Sequence, residues 1–118
     1  GRVRTGDFKT LRKTIMAKLI LTASPTFKAN VLIPVPGKKP VAVEFNFKGR
    51  TKDEFKTFIE TMGDRDDVDV ILDIATGWEL EDAFGKESVG MLLQNYIGSA
   101  RVILEKYLAE LTAARLGN

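Results

Sequence analysis

The sequence predicts an α+β domain, an N-terminal β-hairpin packed on a bundle of about four α-helices, and three observations carry that reading. Val41, Val43, Phe45 and Phe47 alternate with Ala42, Glu44, Asn46 and Lys48, the period of a half-buried strand. Beyond Thr51 the apolar residues instead recur at intervals of three and four, the period of amphipathic helices. The composition is that of one ordinary globular domain, with 118 residues, 44% of them hydrophobic, and 18 Lys+Arg against 16 Asp+Glu.

Charge divides the chain before any element does. Residues 1–15 hold Arg2, Arg4, Lys9, Arg12 and Lys13 against Asp7 alone, a net charge of +4, and the remainder carries 13 basic and 15 acidic residues, a net charge of −2. Met16-Ala17-Lys18 reads like a natural start, so residues 1–15 are expected to be a vector-derived remnant or upstream leader and residues 16–118 a single domain. Two readings of the leader's conformation stay open. One is a disordered tag; the other, because Phe8, Leu11, Ile15 and Leu19 fall at 3-4-4 spacing, is a basic amphipathic helix packed on the body or on a neighbouring chain.

Ser24-Pro25-Thr26 predicts a loop, since proline restricts the residue before it and lacks a donor. Val31, Ile33 and Val35 then form a first strand, Pro36-Gly37-Lys38-Lys39-Pro40 a turn, and Val41 to Phe47 a second strand. Pro34 and Pro36 cannot donate ladder hydrogen bonds, which puts the first strand at a sheet edge. The second strand keeps its donors. Unless another part of the chain covers its free side, that edge is available to a second subunit; the alternative is a hairpin simply folded over the helices.

Thr51-Lys52-Asp53-Glu54 is a capping box and opens a helix carrying Phe55, Phe58, Ile59 and Met62 on one stripe, with Gly63 expected as a left-handed C-cap. Asp64-Arg65-Asp66-Asp67-Val68-Asp69 superficially suggests a calcium loop, but counting from Asp64 puts Val68 fifth, Asp69 sixth and Ala75 twelfth, none of which suits that role. These acids fit better as N-cap and dipole partners of a second helix bearing Val68, Ile71, Leu72 and Ala75, which Gly77 is expected to stop. Trp78 to Gly85 reads as a loop. Val89, Leu92, Leu93 and Tyr96 mark a third helix from Lys86 to Tyr96, and after Gly98-Ser99 a last and longest helix follows, with Ala100, Ile103, Leu104, Tyr107, Leu108 and Leu111 on its apolar face.

Most chemistry is excluded by missing residue types. With no Cys and no His there is no disulfide, thiolate metal site, thiol nucleophile, imidazole base or Ser-His-Asp triad. Gly85-Lys86-Glu87-Ser88 fails as a phosphate loop, because residue 80 is Leu80 and Glu87 follows the lysine. No catalytic, metal or cofactor site is expected. Outside the leader the basic residues are dispersed, so nucleic acid is not an expected partner, and no apolar run approaches the ~20 residues of a membrane span. What remains is a protein that acts by binding proteins, itself included.

Across residues 16–118 the chain carries, in order, M-A-K-L-x-L-x-x-S-P-T-F-K (16–28), V-x-I-P-V-P-G-K-K-P-V-x-V-E-F-x-F-K (31–48), T-K-D-E-F, G-W-E-L-E-D-x-F (77–84), N-Y-x-G-S-A (95–100) and Y-L-A-E-L-T-x-A-R-L-G-N (107–118). In that order these features resemble the tail assembly chaperones of long-tailed bacteriophages. The resemblance implies a non-enzymatic assembly factor of the host bacterial cytoplasm that coats the tape measure protein, recruits tail tube protein and is absent from the finished virion. It further implies that this chain is the short form, where many members also make a longer, frameshifted form. A coat along a rod requires a head-to-tail contact. The hairpin side, with Val41, Val43, Phe45 and Phe47, is therefore expected to meet a neighbour's helices, with Trp78, Leu80 and Phe84 as a further protein-binding patch. The competing reading is a small cytosolic adaptor module.

Overall fold

A computed structural model describes residues 25–112; the leader, and with it the helix expected from Phe8 to Leu19, lies outside the described residues. The chain order is β1 (Thr26–Ile33), β2 (Val41–Lys48), α1 (Lys52–Met62), α2 (Asp67–Ile74), β3 (Ala75–Trp78), α3 (Lys86–Asn95) and α4 (Ser99–Thr112). This is the α+β arrangement that the patterning predicts, with one antiparallel sheet in the order β1-β2-β3 and an N-terminal hairpin.

The hairpin runs in unbroken register from Thr26 opposite Lys48 to Ile33 opposite Val41. Its inward residues Val31, Ile33, Val43, Phe45 and Phe47 enter the core, where Phe58, Ile71, Ile74, Val89, Ile103 and Tyr107 meet them from the helices. The turn places proline and glycine where a type II turn needs them. Gly37 adopts φ +74, and Lys38 donates its amide to the Val35 carbonyl at 3.0 Å. Strand β1 starts at Thr26, earlier than expected, because Phe27 is packed against Phe47 and Tyr107 with ring centroids 5.6 and 6.1 Å apart. It also ends at Ile33, so Val35 belongs to the turn and the missing proline donors fall outside the ladder.

Two helix ends differ from expectation. Gly63 has φ −66, a right-handed conformation, because the chain continues in tight turns, Asp64 to Thr61 and Arg65 to Met62, straight into the Asp66 N-cap of α2. Helix α2 ends at Ile74, and Gly77 does not stop it; Ala75–Trp78 forms β3 instead, a strand the sequence pattern does not reveal. The free side of β2 provides the reason. Phe45 pairs with Trp78, Asn46 with Gly77 and Phe47 with Ala75, and the Asn46 amide donates to the Thr76 hydroxyl at 3.0 Å. The C-terminal half of β2 is thus covered by its own chain, and β1 and β3 are the two edge strands.

The α1 capping box forms as read: Glu54 donates its amide to Thr51 Oγ1 at 3.2 Å, and Thr51 donates its amide to Glu54 Oε1 at 2.8 Å. At the other end of the molecule Gly98, in the α3–α4 corner, lies against the hairpin. A Cβ there would come 3.0 Å from Pro34 Cγ, so the corner and the hairpin loop are in close approach.

Candidate functional site

Strand β3 and the loop after it wall a groove of about 730 Å³ against α3. The Trp78 indole is fixed in it from three sides. Its N–H donates to the Asp82 carbonyl at 2.7 Å, while Phe45 and Phe84 meet its ring edge to face at 5.8 and 5.1 Å. Ser88 closes the loop onto α3 by accepting the Gly85 amide at 3.0 Å and donating to the Ala83 carbonyl at 2.6 Å. Leu80, Met91 and Tyr96 line the same groove and stay exposed at 40%, 59% and 37%. Beyond Tyr96, Ile97 is 89% exposed, and Leu32 and Val41 are exposed on the hairpin. Leu80, Met91 and Tyr96 thus form one exposed apolar cluster at the groove.

A polar constellation lies elsewhere, centred on Asp73, and among its described residues one buried side-chain nitrogen, Arg65 Nε, has no hydrogen-bond partner. Asp73 accepts from Arg50 at 2.8 Å and Arg65 at 3.0 Å, with Lys48 at 4.0 Å. Arg50 lies over the Phe58 ring at 4.5 Å and reaches the Tyr107 hydroxyl at 2.7 Å. Burial pushes the Asp73 carboxyl up, but the bonds and charges of Arg65 and Arg50 outweigh it and hold it below the usual carboxylate range. Burial raises the Tyr107 phenol, and Arg50 pulls it only part of the way back. The groups thus tie β2, α2 and α4 together. Among the described residues no three His, Cys, Asp or Glu side chains gather as metal ligands, and no helix is long and apolar enough to cross a membrane.

The seven residues singled out from sequence separate into two groups. Val43, Phe45 and Phe47 are buried in the core, with Phe45 and Phe47 at 0% exposure, so their side chains face their own helices. Val41, at the hairpin end, is exposed; Trp78, Leu80 and Phe84 come together at the groove, Leu80 exposed and the two aromatics half-buried. Sequence reasoning missed Met91, Ile97 and Leu32. Met91 falls off the apolar stripe of α3, Leu32 falls on the outer face of β1, and Ile97 sits alone in the corner before Gly98. A large aliphatic residue out of phase with its element's period was the available signal.

No curated protein and no solved structure matches the chain. The family model described as phage tail assembly chaperone matches residues 16–118, nearly the whole sequence and every described element. With a hairpin-and-helix domain that leaves its apolar groove open, and with that match along its length, this chain belongs to the phage tail assembly chaperone family and has a role in tail assembly.

Proposed function

We propose that the chain is a non-enzymatic chaperone that associates with itself head to tail, coats the tape measure protein and recruits tail tube protein. It acts in the host bacterial cytoplasm and leaves before the virion is complete. We assign the binding of the tail proteins to residues 16–118, the span of the family match, and take residues 1–15 as a leader outside that domain. The observation that carries the reading is the open groove at Trp78, with Leu80, Met91 and Tyr96 exposed around it in a chain of this family. Folding by itself would favour covering such side chains, each fully buried one being worth about 1.5–3 kcal/mol. Their exposure supports binding to apolar partners.

The hairpin contributes to self-association through its exposed residues Val41 and Leu32, while Val43, Phe45 and Phe47 act indirectly by keeping the sheet rigid. The test is affinity capture of the tagged chain from phage-infected cells. The tape measure and tail tube proteins are expected in the eluate, and Leu80→Asp with Met91→Asp is expected to deplete them. Recovery of neither protein by the unsubstituted chain would contradict the reading.

A further inference from the structure

We propose that the Trp78 groove binds a basic amphipathic segment of a second copy of this chain, residues 8–21. The inference rests on the self-association reading and names the contact that would produce it. The groove combines an apolar floor with an acidic rim. Asp82 and Glu87 line it, Glu79 and Glu81 stand in the same loop, all four are exposed, and none forms an ion pair with a described residue; Lys86 is the single base among them. Unpaired carboxylates around an apolar floor complement a helix whose apolar stripe is flanked by cations.

The sequence of the chain contains one such segment. Phe8, Leu11, Ile15 and Leu19 recur at helical spacing, and the interleaved charges are Lys9, Arg12, Lys13 and Lys18, with no acid from residue 8 to residue 21. The sheet order argues for a neighbour's segment over the chain's own. Strand β1 is separated from β3 by β2, and Thr26 pairs with Lys48 whereas Trp78 pairs with Phe45. The chain therefore enters the fold on the sheet edge opposite the groove. A segment from one copy in the groove of the next is a heterologous contact, which builds an open helical array along a rod when the rotation between copies does not close into a ring.

Charge reversal in the full-length chain tests this, with sedimentation velocity over a concentration series as the readout. Arg12→Glu with Lys13→Glu, and separately Glu81→Lys with Glu87→Lys, are each expected to weaken association by about tenfold or more, since like charges then face each other. Combining the two pairs is expected to restore association toward that of the unsubstituted chain. The altered side chains in the loop are exposed, and circular dichroism verifies the fold of every variant. Association unchanged by either pair, or no recovery in the combined variant, overturns the proposed contact while self-association stands. A monomer whose Trp78 emission responds to Arg12→Glu with Lys13→Glu at all concentrations also overturns it, because the segment would then bind its own chain. A monomer with no such response overturns the self-association reading itself.

Discussion

Arg50 donates from Nη1 to the Tyr107 hydroxyl at 2.7 Å, and that hydroxyl donates onward to the Lys48 carbonyl at 3.0 Å. One phenol thereby links the end of β2 to the middle of α4, with its ring in contact with Phe27, Phe47 and Phe58. Tyr107→Phe keeps the ring and removes both bonds. We expect a stability loss of about 1–3 kcal/mol, the usual cost of leaving buried partners unmatched, measured by urea denaturation.

Asp73 receives Arg50 and Arg65, so Asp73→Asn leaves two guanidinium groups without their anion. Asp73 is partly exposed, and solvent screening limits the expected loss to about 1–2 kcal/mol near neutral pH. The pH dependence has a definite sign. The folded carboxyl titrates below its unfolded value, so its contribution is complete above about pH 4 and disappears as pH falls through the depressed folded value. Denaturation midpoints of the two proteins should converge in acid. Tyr107 acts at the other extreme, its contribution being complete below about pH 10 and lost as pH rises through its raised folded value.

Phe45 and Leu80 should respond oppositely to truncation. Phe45 is fully buried, and Phe45→Ala should cost about 3–5 kcal/mol through lost burial and a cavity. Leu80 is 40% exposed, and Leu80→Ser should stay within about 0.5 kcal/mol in stability while reducing partner capture. Parallel denaturation and capture assays separate the two effects.

That contrast shows how far the sequence could be read. Period-2 alternation identifies the inward face of β2, and Val43, Phe45 and Phe47 are indeed on it; the same pattern cannot tell a face covered by its own helices from one offered to a neighbour. The capping box at Thr51 is legible because it depends on two side chains three residues apart. Strand β3 is not, because Ala75-Thr76-Gly77-Trp78 has no strand propensity of its own beyond threonine and tryptophan and is held by its partner β2. The Trp78–Leu80–Phe84 grouping was legible as a local aromatic cluster. Met91 and Tyr96 join it only through packing of α3 against the loop.

Thr51 provides a local test of the helix that follows β2. Thr51→Ala removes the side-chain acceptor of the Glu54 amide and should lower stability by about 1 kcal/mol, while Thr51→Asp should retain most of it. Thermal denaturation of both variants distinguishes capping from any general effect of substitution at this exposed position.

The most direct measurement is co-expression of this chain with the tape measure protein of the same phage, followed by quantifying the tape measure protein in the supernatant after centrifugation. The account predicts that the tape measure protein remains in solution and co-sediments with many copies of this chain, and that Leu80→Asp with Met91→Asp sends it to the pellet. A tape measure protein that pellets equally with and without this chain, while the chain itself sediments as an isolated monomer, would contradict it.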